Sequence, residues 1–353
     1  MTLTKIALSA LAISALTLSL NARDQIKIVG SSTVYPFSSA VAEELGATTS
    51  FPTPVVESTG SGGGMKLFCA GNGMNTPDIT NASRRMKTKE FKLCVKNGVT
   101  DITEAVIGFD GIAFAQAKSN TPFSVTKKQL LLAVAAEVPS KDGKSLVKNP
   151  YTNWNQIDSS LPTREIIIYG PPKSSGTRDA FEDMILKGQT KKMAVYTSLY
   201  KANKVKNKAY KKYKKIRTDG VYVPSGENDN LIVTKLNKNK AAFGIFGYSF
   251  LVENDDKVQG SKVNGVIPTP KTISSGKYPI SRSLFFYTKN SHASKVPAMA
   301  EYVKMFMSED MIGSDGILGE IGLISLPDSR RTNIRNSVSN RTKITLEELS
   351  KKH

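Results

Sequence analysis

Three short segments rich in glycine, serine and threonine contain the residues best suited to binding an anion. They span residues 30–33, 59–64 and 170–177, and each lies between a strand-like and a helix-like run. The first N–H groups of a helix lack intrahelical partners and carry partial positive charge, so such a turn can hold an anion. Serine and threonine are also ordinary helix caps, so three plain caps are the alternative. Three such turns in one chain favour a shared cradle for an oxyanion.

Charged residues beside these turns indicate which oxyanion would fit. Asp78 precedes Arg84 by six residues, and Arg178 directly follows the third turn. A guanidinium binds tetrahedral oxyanions through paired N–H donors. A carboxylate repels an anion unless that anion donates a proton, and phosphate keeps a proton near neutral pH whereas sulfate does not. Asp78 facing the anion would therefore select phosphate. The alternative is a surface ion pair, Asp78 with Arg84 or Asp179 with Arg178.

The hydrophobic pattern around the turns alternates between the periods of strands and helices, which predicts an α/β protein. The predicted strands are residues 25–29, 54–57 and 164–169, and the predicted helices that follow them are residues 36–45, 65–70 and 178–186.

Net charge restricts the partners without choosing among them. The 353 residues carry a formal charge of +19, which attracts anions, nucleic acid or an anionic membrane surface. Residues 201–217 form a basic run that includes Tyr210 and Tyr213. Its lysines are spaced like one helical face, so a solvated face is favoured over binding to nucleic acid or a cell surface. The segment after Pro327 is polar, and we expect it to form a helix or a frayed end.

The first 22 residues have the pattern of an export signal. Lys5 precedes an uncharged, mostly apolar stretch over residues 6–20, and Ala22 offers a small residue for cleavage. The stretch is shorter than the roughly 18–20 residues of a membrane-spanning helix. No cysteine follows it to carry a lipid anchor. We expect a cleaved signal and a soluble protein outside the cytoplasm.

Two cysteines, Cys69 and Cys94, are the whole thiol content. In an oxidising compartment we expect them to form a disulfide, which would stabilise the fold by roughly 3 kcal/mol. Two free buried thiols are the alternative. A zinc site is disfavoured because no histidines lie near enough to complete a tetrahedron.

Catalytic signatures are sparse. The only histidines are His292 and the terminal His353, which disfavours a Ser-His-Asp triad or a histidine-rich metal centre. The third turn lacks the Gly-Lys-[Ser/Thr] ending of nucleotide-binding loops. We therefore predict no catalysis, no cofactor and no metal. A secreted phosphatase with a serine or threonine nucleophile stays open.

Several motifs together resemble one family, the periplasmic phosphate-binding proteins of Pst-type ABC transporters. The resemblance extends from about residue 25 to residue 328. The motifs that carry it are Gly30-Ser-Ser-Thr-Val-Tyr-Pro36, Thr59-Gly-Ser-Gly-Gly-Gly64, Asp78-Ile-Thr-Asn-Ala-Ser-Arg84, Tyr169-Gly-Pro-Pro-Lys-Ser-Ser-Gly-Thr-Arg178, Gly226-Glu-Asn-Asp-Asn230 and Phe243-Gly-Ile-Phe-Gly-Tyr-Ser-Phe250.

This resemblance implies a two-lobed periplasmic binding protein fold of type II, with the ligand cleft between lobes joined by two crossover strands. Lobe one would comprise residues 23–111 plus 268–353, and lobe two residues 112–267. The implied function is high-affinity phosphate binding in the periplasm and delivery to the membrane permease subunits of an ABC transporter. We expect a monomer that closes on its ligand and binds no nucleic acid. Receptors for sulfate, phosphonate or a phosphate ester are the alternatives.

The resemblance also assigns site residues. Asp78 would accept the phosphate proton, and Asp110 is the alternative acceptor. Arg178 would take the arginine's role, because this chain has Pro171-Pro172 where some relatives have that arginine; Arg84 is the second candidate. The implied donors from the three turns are Ser32, Thr33 and the backbone N–H of Val34, then Ser61, then Ser175, Gly176 and Thr177.

Overall fold

The computed structural model describes residues 23–205, 215–226 and 229–351. The predicted signal, residues 1–22, and the middle of the basic run lie outside the described residues. The strands are β1 (Lys27–Gly30), β2 (Val55–Ser58), β3 (Ile79–Ala82), β4 (Ile102–Ala117), β5 (Ser124–Val125), β6 (Glu137–Pro139), β7 (Leu146–Lys148), β8 (Ile168–Gly170), β9 (Tyr222–Pro224), β10 (Phe243–Gly247), β11 (Val258–Gly260), β12 (Lys262–Val263) and β13 (Ser281–Lys289).

Helices fill the connections between the strands. A π-helical stretch, Glu182–Lys187, extends α6, and a 3-10 turn covers Asn290–His292. The α-helices are α1 (Tyr35–Thr48), α2 (Gly60–Phe68), α3 (Thr88–Lys96), α4 (Lys127–Val134), α5 (Trp154–Ile157), α6 (Gly176–Phe181), α7 (Gly188–Thr190), α8 (Ala194–Val205), α9 (Asn230–Lys238), α10 (Tyr248–Glu253), α11 (Pro270–Ser274), α12 (Ala298–Phe306), α13 (Glu309–Ile312), α14 (Ile317–Glu320), α15 (Asp328–Ser339) and α16 (Leu346–Ser350).

One long strand, β4, connects two halves of the main sheet. The order across the sheet is β2-β1-β3-β13-β4-β10-β8-β9, and β11 also pairs with β4. Residues 102–111 of β4 pair with β13, whereas residues 112–116 pair with β10. The partner changes after Gly111, at the position where the boundary between the lobes was predicted. Each half thus has its own sheet, and the two sheets share a single strand.

The second half is held together by an aromatic cluster. Phe114, Phe123, Trp154 and Phe243 pack with ring centroids 4.6–6.4 Å apart. Phe114 lies on β4 and Phe243 on β10, so the cluster fixes the shared strand to the second sheet. Aromatic contacts of this kind add to the stabilisation from area burial alone.

The first half is held together by close backbone contacts and a disulfide. A Cβ at Gly64 of α2 would lie 2.5 Å from the Cα of Gly30, so only glycine lets this helix approach β1 so closely. The predicted disulfide between Cys69 and Cys94 is present and links the end of α2 to α3.

The polar tail is ordered as α15 and α16. Ile344 donates its N–H to the carbonyl of Ile102 at 2.9 Å, so the tail covers part of the open edge of β4. Within the described residues, no helix combines the length and hydrophobicity needed to cross a bilayer.

Candidate anion-binding cleft

The first and second turns meet at the carboxyl end of β1. Residues 31–34 lead from β1 into α1, and Thr59 donates its N–H to the carbonyl of Gly30 at 2.9 Å. Ser61, in the first turn of α2, lies beside the end of β3, where its hydroxyl accepts the Ser83 N–H at 3.1 Å. Two helix N-termini therefore point to the same edge of the first sheet, as expected where ligands bind at the carboxyl ends of strands.

The third turn comes from the second half and touches the first turn directly. The hydroxyl of Thr33 donates to the carbonyl of Gly176 at 3.4 Å. A Cβ on Gly176 would lie 3.1 Å from backbone atoms of Ser32 and Thr33. Ser175 caps α6 by accepting the Thr177 N–H at 3.2 Å, so its oxygen is partly used as an ordinary cap. The structure thus gathers Ser32, Thr33, Val34, Ser61, Ser175, Gly176 and Thr177 around one cleft.

A charge pair lies where this cleft meets the shared strand. Arg282 on β13 and Asp110 on β4 are directly opposite each other in the antiparallel ladder. The Arg282 guanidinium donates to the hydroxyl of Thr33 at 2.5 Å and to Asp110 Oδ2 at 3.4 Å. Both side chains are mostly buried, with 12% and 16% of their surface exposed. Burial raises the pKa of Asp110, and the Arg282 charge opposes that rise. The cleft therefore contains a guanidinium and a carboxylate that can contact an oxyanion together.

Arg84 lies at the edge of the cleft near the second turn. One of its terminal nitrogens would be 3.9 Å from a Cβ at Gly62. The same guanidinium is held by both oxygens of Glu90 at 2.7 and 2.8 Å. Arg84 is thus close enough to influence an anion electrostatically, but its terminal donors are already engaged.

Asp78 lies at the wrong end of the sheet for the role predicted from the sequence. It precedes β3, whereas the cleft lies after β3, so the strand separates the two. Asp78 is fully buried. It accepts hydrogen bonds from the guanidinium of Arg23 and the N–H of Lys27, and it contacts His292 Nδ1 at 2.6 Å. The structure does not support Asp78 as an acceptor facing the anion.

Arg178 is also directed away from the cleft. Its guanidinium stacks 4.7 Å from the centre of the Tyr222 ring. Its donors reach Glu182 at 2.7 Å and the Pro171 carbonyl at 3.1 Å. The hydrogen-bond donors of Arg178 are therefore satisfied inside the second half, where its side chain packs. This position does not fit the anion-binding role predicted for Arg178.

Sequence reasoning overlooked Arg282. The sequence did contain an indication of its role. Arg282 lies near the start of a strand whose central residues, Leu284 to Tyr287, are hydrophobic and buried. A charge at such a position has to be paired or bound to a ligand. Its closeness to Thr33, however, depends on the pairing of β13 with β4 and β3 and is not visible in local sequence.

The contact between the first and third turns gives a testable prediction. Replacing Gly176 with Ala places a methyl group against the backbone of Ser32 and Thr33, and overpacking of this kind costs about 1–3 kcal/mol. We expect phosphate affinity to fall roughly 5- to 100-fold by titration calorimetry, with little change in the unfolding temperature. Gly188→Ala is the matched control, because its Cβ would make only an ordinary 3.6 Å contact with the Asp183 carbonyl. Equal affinities for the two variants would argue against a closed cleft at Gly176.

The PBP superfamily domain matches residues 17–310 of the chain. The chain therefore belongs to the PBP superfamily, and both the resemblance drawn from the motifs and the predicted two-lobed α/β fold class are confirmed. The protein SphX of Synechococcus elongatus is 31% identical over 304 residues, covering 84% of this chain and 76% of that protein. The phosphate-binding protein PstS of Staphylococcus epidermidis is 29% identical over 287 residues, covering 80% and 74%.

Solved structures share the same architecture. A possible phosphate-binding protein from Planctomyces limnophilus superposes with a TM-score of 0.70 at 29% identity, covering 90% of this chain and 99% of that one. An ABC-type phosphate transport receptor from Vibrio cholerae gives a TM-score of 0.57 at 21% identity, covering 86% and 100%. The second comparison supports the fold alone.

Proposed function

We propose that this protein is a high-affinity receptor for inorganic phosphate that works outside the cytoplasm and delivers its ligand to an ABC importer. The observation that carries the proposal is the position of Arg282, which joins Asp110 on the shared strand to Thr33 of the first turn, the residue that also contacts the third turn. A tetrahedral anion there would meet helix N-termini from both halves together with one guanidinium. Relatives named for phosphate binding support the same ligand.

Each group has a distinct role in this proposal. Arg282 anchors the anion, and Ser61 and Thr33 donate hydroxyl hydrogen bonds, that of Thr33 in place of its long 3.4 Å contact with the Gly176 carbonyl. Asp110 uses Oδ2 to orient Arg282 and keeps its other oxygen for the proton that phosphate carries. Sulfate has no proton to donate and would leave a carboxylate repelling it. Asp110 thereby takes over the selective role that the sequence assigned to Asp78. Backbone donors come from Val34, Gly176 and Thr177, with further hydroxyl donors from Ser32 and Ser175.

The receptor would act without catalysis. His292 lies with Asp78 at the other end of the first sheet, 1% exposed, so it cannot reach a ligand in the cleft. Opening and closing would occur about the shared strand β4 and the return connection that contains α11. We assign one lobe to residues 23–111 plus 268–353 and the other lobe to residues 112–267. We also propose that the protein is a monomer and that the permease subunits recognise its closed form.

Titration calorimetry of the protein at neutral pH tests the ligand. We expect one phosphate per chain, bound tightly enough that excess sulfate does not displace it. Equal binding of sulfate would contradict the selective role of Asp110 while keeping an oxyanion receptor. No heat from either anion would overturn the proposal. Turnover of a phosphomonoester by the same sample would point to a phosphatase instead.

A further inference from the structure

A second carboxylate, Asp229, lies near the cleft on the side of the second half. It directly precedes α9 and is 4% exposed. Its Oδ2 accepts the N–H of Gly247 at 2.8 Å, just before α10 begins. Gly247 pairs with Ile112 on β4, two residues after Asp110. Asp229 is therefore fixed at the carboxyl end of the second sheet, beside the strand that carries Asp110.

The other oxygen of Asp229 is unsatisfied. Among the described residues, Oδ1 is buried and has no hydrogen-bond partner. A buried carboxylate oxygen without a donor is costly, and native structures rarely keep one without a use for it. Asp110 has the guanidinium of Arg282 as its partner, whereas no cation is paired with Asp229 among the described residues.

Among the residues that the structure describes, the charged and titratable groups around Asp229 supply no cation for it. Asp110 faces it from β4, and the guanidinium of Arg282 is shared by Asp110 and Thr33. Tyr222 on β9 interacts electrostatically with Asp229, and Arg178 stacks on the Tyr222 ring while its guanidinium is bound to Glu182. On α9 itself, Lys235 donates to Ser225 at 3.1 Å.

These surroundings also affect the pKa of Asp229. Burial and the nearby charge of Asp110 raise it to about 6, against the lowering effect of the Gly247 N–H. Asp229 is thus a carboxyl group close to accepting a proton near neutral pH, which is common at functional sites.

We propose that Oδ1 of Asp229 accepts a hydrogen bond from a second proton of the bound ligand, so that the cleft takes phosphate as the singly charged, doubly protonated ion. The inference rests on the proposed function. Two carboxylates and one guanidinium give these three side chains a charge of −1, which favours dihydrogen phosphate over the doubly charged ion. Whether the shared proton resides on the ligand or on Asp229, the complex contains one proton more than free monohydrogen phosphate and the empty cleft.

Proton uptake measures this directly. Phosphate is titrated into the full protein at about pH 8 in two buffers with different ionisation enthalpies, and the difference in heat gives the number of protons taken up. We expect about one proton per phosphate for the unaltered protein and close to none for Asp229→Asn. Over the alkaline range, the unaltered affinity should fall roughly tenfold per pH unit, the linkage expected for one proton. The Asn variant should fall less than threefold.

Asp255→Asn, an exposed change in the second half, is the matched control and should behave like the unaltered protein. A thermal unfolding series without ligand checks that Asp229→Asn folds. The pKa of Asp229 is raised in the folded state, so its contribution favours folding at low pH and is lost as pH rises to about 6. The Asn variant should therefore be more stable than the unaltered protein at neutral pH.

Equal proton numbers and equal pH slopes for the unaltered protein and Asp229→Asn would overturn the inference while leaving phosphate binding intact. Absence of phosphate heat in the unaltered protein would instead overturn the proposed function, and this inference with it.

Discussion

Replacing Arg282 with Gln is expected to lower phosphate affinity by roughly 100- to 1,000-fold. The substitution removes the only guanidinium that the described structure places between the first turn and the shared strand. It also leaves Asp110 mostly buried without its cation, next to an incoming anion. Truncating one partner of a buried charge pair at a binding site lowers the binding free energy by about 2–5 kcal/mol or more. Much of that loss is the cost of leaving the other charge buried and unpaired. Titration calorimetry at neutral pH gives the affinity.

Further substitutions separate the causes of this loss. Arg282→Lys keeps the charge but loses the paired, planar donors, so we expect an intermediate loss of roughly 10- to 100-fold. Adding Asp110→Asn to Arg282→Gln removes the unpaired carboxylate and should restore part of the affinity, although selectivity over sulfate should be lost.

Arg341→Gln removes the same charge from an exposed site far along the tail and controls for the net charge of +19. An affinity for Arg282→Gln within threefold of that control would mean that the anion binds elsewhere.

Local sequence was sufficient to predict candidate donors for the cleft. Each of the three turns lies between a strand and a helix, and the period of the hydrophobic residues, two in a strand and 3.6 in a helix, identifies both elements. Hydroxyl residues and glycines then indicate where each helix begins. The chemistry of a helix N-terminus is a local property, so Thr33, Ser61 and Gly176 could be predicted one turn at a time. That the first two turns meet follows from the parallel pairing of β1 with β2, whose carboxyl ends lie at one edge of the first sheet. The third turn follows β8, which runs opposite to β1, so its contact with the first turn depends on β4 passing from one half to the other.

The charged pair could not be found in the same way. Arg282 and Thr33 are 249 residues apart in the chain, and their contact depends on β13 returning to pair with both β3 and β4. Asp110 was named from the sequence only as the alternative acceptor. Its partner became evident only from the register of β13 against β4.

Asp78 illustrates a different limit. A strand has two ends, and Asp78 and Ser83 lie on opposite sides of the four-residue strand β3. At about 3.3 Å per residue they are roughly 17 Å apart, so only one of them can face a ligand at a given edge. The sequence placed Asp78 and Arg84 together beside the anion, because spacing carries no information about which end of the strand faces the cleft. Hydrogen bonds from Arg23 and Lys27 identify the end at which Asp78 lies.

Asp78→Ala should consequently damage the fold and leave ligand choice unchanged. The carboxylate is fully buried against Arg23, Lys27 and His292, so its removal leaves buried donors without an acceptor. Breaking a buried ion pair by deleting one partner costs about 3–5 kcal/mol. We expect an unfolding temperature lower by roughly 10 °C, measured by calorimetry without ligand.

The selectivity of the same variant separates the two candidate acceptors. At a temperature where Asp78→Ala is folded, its ratio of phosphate to sulfate affinity should stay within threefold of the unaltered protein. Asp110→Asn should show the opposite pattern, because burial raises the pKa of Asp110 and its charge adds little to stability, yet it faces the cleft. A loss of selectivity in Asp78→Ala together with an unchanged unfolding temperature would mean that Asp78, and not Asp110, contacts the anion. The opposite pair of results would place the selective carboxylate on the strand that both halves share, where movement between the halves and recognition of the ligand would involve the same residues.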